Sequence, residues 1–358
     1  MMQKDRDLSF DVFRGFAIIA VVALHAAYME FFSDTVPKGQ WNWNLSFLVT
    51  YCQLLTFSVP VFLFISGYWI ATKPEIESWG DYKTFLINRL SRVLIPFFFW
   101  SVVLLGYAAI QEKRFNLNQI LFNLVTGRAA APYYPYYFIL VLARLYVLTP
   151  LFQYVNSKQH GPTLIVVLNL IGLLALYLSR IGMISHIPIT LPFYLWMIFY
   201  ELGLLAGSRT DTDEVFLPKN LYFLILPGIF ISLLISEMEG LTILSKFKDP
   251  FFAAAITRFS SFLYSVFVIL CFLAFKKRIS RWPDLLVTLG KYSFGIYLIQ
   301  TPVLNQVAYL VRKSSAIHSF QSLYQLTVVL ITISICFIII NVTRKLLPES
   351  FCYKILGF

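Results

Sequence analysis

The sequence predicts an all-α, polytopic transmembrane helix bundle of about ten spans with no separate soluble domain. Three observations predict it. The 358 residues are 58% hydrophobic and only 13% charged, about half the charged share of a soluble domain. Apolar runs of bilayer length recur from one end of the chain to the other. The connections between them are too short to hold a folded domain. A single domain over residues 1–358 is therefore expected, with any chemistry carried inside the bundle.

The runs fall at 9–32, 46–72, 85–110, 133–155, 162–180, 188–208, 219–237, 251–275, 284–310 and 321–346. The first follows "MMQKDRDLS" and superficially resembles a signal peptide. It is long and no small-residue cleavage site follows it, so a retained span is expected. In the second, "FLFISGYWI" (62–70) places Ser66 and Gly67 mid-run, which suits close helix packing. The fourth opens on the aromatic "YYPYY" (133–137), an ordinary interfacial belt. The ninth holds "KYSFGIYLIQTPVL" (291–304), where Pro302 interrupts a Gly-containing helix. Such a break either lines a cavity or serves packing alone.

The formal net charge of +11 does not indicate nucleic-acid binding, because Lys and Arg sit mainly between the apolar runs. With both termini cytoplasmic, sixteen of these residues fall on the cytoplasmic side and nine on the other, the excess that sets orientation. "FKKRISR" (275–281) is the strongest cytoplasmic anchor. Cys52, Cys271, Cys336 and Cys352 are scattered, so neither a disulfide framework nor a metal site is expected.

Beyond the Lys and Arg assigned to loops, four remain within or at the edges of the runs, Arg14, Arg144, Arg258 and Lys291, and His25 and Glu201 join them. A charge at membrane depth costs several kcal/mol unless paired or hydrated, so each is a functional candidate. Within "DVFRGFAIIAVVALHA" (11–26), Arg14 and His25 lie eleven residues apart. Eleven helical steps end about 20° beyond three full turns and about 16 Å along the axis, so both side chains share one face. A neutral imidazole can take a proton from a hydroxyl, and an Arg near the inner face suits phosphate or pyrophosphate. A histidine bonded to a carbonyl and an arginine reaching headgroups would fit the same pattern. In "NRLSRVLIPFFFW" (88–100), Arg89 and Arg92 share a face at the start of the third run, as a phosphate clamp or as topology charges. In "YYPYYFILVLARLYVLTPLF" (133–152), Arg144 lies below the aromatic entry.

The order of Arg14-x10-His25, "FISGYWI", Arg89-x-x-Arg92, "YYFILVLARLYVLTP" and "YSFGIYLIQTP" resembles the acyltransferase-3 family of integral-membrane acyltransferases. The resemblance covers almost the whole chain. It implies an O-acyltransferase of the cell membrane that takes an acyl group from cytosolic acyl-coenzyme A, with acetyl as the expected acyl group. The acceptor it implies is a surface carbohydrate or lipid-linked glycan. By motif, His25 resembles the catalytic histidine, and Arg14, Arg89 and Arg92 resemble donor-binding arginines. The family's late motif often reads "GIYLxH", whereas this chain has Gln300 at the last position.

In the expected mechanism, coenzyme A phosphates bind near Arg14, Arg89 and Arg92, and the thioester reaches His25, the general base. Arg144 or a tyrosine is the candidate oxyanion donor, and Glu201 is placed to orient His25 or to pair with an intramembrane Arg. A transporter or flippase of a glycan or organic anion would use the same buried charges to line a path. It predicts inverted internal repeats, and none is visible in the chain. A non-enzymatic envelope-assembly subunit would tolerate replacement of His25. Besides the glycan acceptor, membrane lipid is the expected partner, and nucleic acid is not.

Overall fold

Thirteen helices carry the described part of the chain, a computed structural model covering residues 7–31, 43–112, 136–185, 187, 193–208, 222–279, 283–314, 317 and 319–358. Among these residues there is no strand. The helices are α1 (Leu8–Phe31), α2 (Trp43–Leu55), α3 (Ser58–Ala71), α4 (Trp79–Glu112), α5 (Tyr137–Val147), α6 (Thr149–Asn156) and α7 (Gly161–Arg180). They continue as α8 (Met197–Ser208), α9 (Tyr222–Phe247), α10 (Phe259–Ile279), α11 (Asp284–Lys291), α12 (Ser293–Arg312) and α13 (Gln321–Leu346). Very short helical turns lie at Phe193–Trp196, Pro250–Ala253 and 349–356. The expected orientation charges Lys4, Arg6, Lys38, Lys113, Arg114, Arg128, Arg209, Lys219 and Arg281, and the aromatic residues 133–135, lie outside the described residues.

Eight helical stretches among the described residues are long and apolar enough to cross a membrane, α2 and α3 forming one stretch, and nine if the α5–α6 pair is one span. Each of the ten apolar runs has a helical counterpart, but several are broken or short. The run at 133–155 bends by 53° between α5 and α6, because Pro150 sits in the first turn of α6 and cannot continue the ladder from α5. The run at 188–208 is described only from Phe193, as a single-turn 3₁₀ helix leading into α8, and is a shorter apolar helix. The ninth run divides at Tyr292 into the short α11 and the crossing helix α12. Pro302 lies inside α12 without ending it.

The helices group into two compact units, 1–65 with 211–339 and 66–210 with 340–358, the chain passing between them within α3 and within α13. In the first unit α1 lies against α11 with backbone touching backbone. A Cβ on Gly15 would stand 2.3 Å from the Leu286 carbonyl oxygen, and one on Gly290 would stand 1.8 Å from that of Asp11. Only glycine permits this approach, and it fixes the height of Arg14 against α11. Phe13 stacks on Phe272 of α10 with ring centroids 4.1 Å apart, and Phe10 meets the same ring edge-on. Asp7 closes the start of α1, accepting from the Ser9 amide at 3.1 Å and pairing with Lys276 at 3.4 Å.

In the second unit, α3 and α8 approach through Gly67, whose Cβ would stand 2.2 Å from the Tyr200 carbonyl oxygen. The Ser66–Gly67 step is thus a packing contact. The bend after α5 is held by side chains: the Tyr82 hydroxyl donates to the Val147 carbonyl at 2.8 Å, and Thr149 donates to the Leu145 carbonyl at 3.2 Å.

Candidate functional site

Arg14 and His25 stand on α1 in the first unit, with the buried Ile18 and Val21 between them on the same face. Arg14 is half-buried, and its Nη1 lies 3.4 Å from Oδ1 of Asp11, one turn earlier on α1. Asp11 is buried and had not been singled out; the three-residue spacing to Arg14 was its only signal. The pair holds the guanidinium along the helix while leaving part of it accessible.

His25 is half-buried, whereas Leu24 and Ala26 on either side are buried. Its Nδ1 is enclosed and meets no hydrogen-bond partner among the described residues. The polar side chain at the ring is Gln300 of α12. Gln300 is fully buried, and neither its amide oxygen nor its nitrogen has an ordinary hydrogen bond among the described residues. The polar group at the imidazole is thus a buried amide. A ring with one nitrogen enclosed and part of its surface accessible is an arrangement that can accept a proton from a group entering the bundle.

Five residues beyond His25, α1 carries a second polar centre that sequence reasoning missed. Glu30 is fully buried and accepts from Nε and Nη2 of Arg312 at 3.1 and 2.6 Å. Tyr324 of α13 reaches the same pair. Arg312, one of the nine charges expected on the non-cytoplasmic side, is the ion-pair partner that lets Glu30 be buried.

Arg258 is also a structural ion. It is fully buried at the start of α10. Its guanidinium donates to the Ser236 carbonyl at 3.1 Å, to Ser236 Oγ at 2.9 Å and to Gln53 Oε1, and it lies 3.8 Å from Glu239. Gln53 in turn donates to the Val49 and Ala253 carbonyls. This set pins α2, α9 and the approach to α10 together. Lys291 is exposed at the end of α11.

In the second unit, Arg89 and Arg92 lie on α4, Arg89 half-buried and Arg92 exposed. The Arg89 guanidinium carbon lies 6.0 Å from the Phe85 ring centroid, and that of Arg92 lies 5.1 Å from the Tyr353 ring centroid. Tyr353 belongs to a segment held on α4 by the Trp100 indole, which donates to the Leu356 carbonyl at 3.0 Å. Arg144 sits in the last turn of α5, just before the bend. Glu201 of α8 is buried with neither carboxyl oxygen hydrogen-bonded among the described residues, and Asn156 is the polar side chain beside it. Its neighbour Tyr200 shares a 2.7 Å hydrogen bond with Thr149 and has Arg89 within electrostatic reach. The two candidates thus have amide neighbours of their own, Gln300 at His25 and Asn156 at Glu201. Among the described residues no three His, Cys, Asp or Glu side chains converge as a metal site.

The acyltransferase-3 family, described as an acyltransferase domain, matches residues 7–341, from the cap of α1 to the last turns of α13. The chain is also 26% identical over 304 residues to a putative membrane-bound acyltransferase, YfiQ, of Bacillus subtilis (strain 168), covering 80% of this chain and 78% of that protein. No solved structure matches. Nearly the whole helical chain, including Arg14, His25, Arg89, Arg92, Arg144 and Glu201, lies within the family match, and the chain is a multi-pass membrane transferase that belongs to the acyltransferase-3 family.

Proposed function

We propose that this protein is an acyl-coenzyme A-dependent O-acyltransferase that moves an acetyl group from the cytosol to a hydroxyl of a surface carbohydrate or lipid-linked glycan, with His25 as general base. The observation that carries it is the state of His25: an imidazole deep in a membrane-length helix, part accessible, with Gln300 at its ring. A histidine kept only for packing would be expected to satisfy its buried nitrogen within the fold.

By motif, Arg14, Arg89 and Arg92 are the guanidinium groups proposed for the donor phosphates. Charge-assisted bonds from arginine suit phosphate and pyrophosphate. The acceptor oxygen attacks the thioester carbonyl while His25 takes the hydroxyl proton. The tetrahedral intermediate collapses, the carbon–sulfur bond breaks, and the proton passes to the departing thiolate, leaving an ester and free coenzyme A. General-base assistance of this kind is worth about 10²–10⁴ in rate. Arg144 is the guanidinium offered to the oxyanion, which needs a donor fixed in advance. Glu201 is offered as an acceptor for a donor group of the substrates, since a carboxyl buried without partners is otherwise costly. Both termini are placed in the cytoplasm on the charge bias of the loops.

The test is mass spectrometry of cell-surface glycans from cells with and without the protein. Loss of an acetyl mass from a hydroxyl position, restored by the wild-type chain, is the expected result. Identical glycans in both cells would overturn the proposal.

A further inference from the structure

Two helices of the first unit, α12 and α13, carry buried polar side chains without a hydrogen-bond partner among the described residues. On α12, Gln300, Thr301 and Asn305 have amide or hydroxyl atoms without a hydrogen-bond partner among the described residues. On α13 the same holds for Gln321, Gln325 and Thr332. All but Asn305 are more than nine-tenths buried. The spacing is not random. Thr301, Asn305 and Arg312 stand at i, i+4 and i+11, and so do Gln321, Gln325 and Thr332, so each set forms one stripe along its helix.

The two helices run side by side in opposite directions. At one end the ring of Tyr292 lies 5.8 Å from that of Phe337. At the other, Tyr324 of α13 meets the Arg312–Glu30 pair that ties α12 to α1. Gln300, deeper on α12, stands at the His25 ring. Buried amides and hydroxyls are thus spaced along α12 and α13 between the charged Glu30–Arg312 end and the residue that stands at the imidazole. In a membrane interior such groups are retained at a cost unless something hydrogen-bonds to them. An amide offers both a donor and an acceptor, which is what an alcohol group requires of its site.

We propose that the polar stripes of α12 and α13 are the acceptor lane: they bind a polyhydroxylated acceptor through its hydroxyl groups, with the Glu30–Arg312–Tyr324 cluster at the mouth, and deliver one hydroxyl to His25. The proposal rests on the acyl-transfer function above and names the residues that recognise its acceptor.

The test compares wild type with the Gln321→Leu/Gln325→Leu double variant and with Thr332→Val, each purified in detergent. Acetyl-coenzyme A is the donor, and surface glycan isolated from cells lacking the protein is the acceptor. The measurements are donor affinity, glycan KM, kcat and Tm. The lane predicts a glycan KM raised at least tenfold in the double variant, donor affinity within twofold of wild type, and a Tm equal to or above wild type. A gain in Tm follows because leucine removes buried polar groups that the fold leaves unmatched. Unchanged glycan KM in the folded variants would overturn the lane and leave the stripes as water-lined or packing surface. If the double variant does not fold, the stripe is structural at those positions, and an unchanged glycan KM in Thr332→Val then rejects the lane. Absence of transfer by wild type itself would reject the acyl-transfer function, and the lane with it; transfer by wild type with unaltered variants rejects the lane alone.

Discussion

Gln300 of α12 stands at the imidazole of His25 on α1. The two side chains are 275 residues apart in the chain and meet where α12 packs on α1. If Gln300 positions the ring, Gln300→Leu should lower kcat by about tenfold or more while leaving the KM for acetyl-coenzyme A unchanged. Gln300→His, which keeps a polar group at the ring, should retain most of the turnover. Equal losses in both variants, or a loss that tracks folded yield, would make Gln300 a packing residue.

Arg258 should matter for folding and not for chemistry. Its guanidinium satisfies Gln53, Ser236 and Glu239 at once. Arg258→Met leaves the buried Gln53 and Ser236 acceptors unmatched and the part-exposed Glu239 without its cation, and each buried acceptor left unmatched costs about 1–3 kcal/mol. The expected result is a large fall in Tm or in folded yield. A well-folded Arg258→Met protein with lost turnover would move Arg258 into the catalytic machinery.

The arginines of α4 are predicted to act on the donor. Arg89→Ala/Arg92→Ala should weaken acetyl-coenzyme A binding by at least tenfold, and the wild-type affinity should fall as salt is raised. Isothermal titration at several salt concentrations on correctly folded protein measures both. Unchanged affinity would return the pair to a topology role.

Orientation is tested separately. In a cysteine-free version, single cysteines placed in 276–281 should react with a membrane-impermeant thiol probe only from the cytoplasmic side, and those in 312–318 only from the other. Labelling of both segments from one side would contradict the proposed arrangement.

Much of the fold was legible because a bilayer imposes one rule on every span: an apolar stretch of the right length. Departures from the pattern came where local chemistry intervened, as at Pro150, which bends the fourth run, and at Tyr292, which divides the ninth. Arg14 and His25 stood out because ionisable residues are rare in such runs. Their neighbours did not. Asp11 and Glu30 lie near the two ends of the same helix, where carboxylates are common, and Gln300 carries no charge to draw attention. Arg312 read as a loop charge because pairing with Glu30 depends on how α1 meets α12, which no single run reveals. Conversely, Arg258 had every mark of a functional charge, and its structural use appears only once α2, α9 and α10 are placed together.

The most direct measurement is acetyl transfer per folded molecule for wild type, His25→Ala and His25→Gln, taken alongside acetyl-coenzyme A affinity. Glutamine keeps much of the size and polarity of histidine but cannot take a proton at useful pH, so both variants should bind the donor normally and lose about 10²-fold or more in turnover. Substantial turnover by a well-folded His25→Gln protein would contradict the assignment of His25 as the general base.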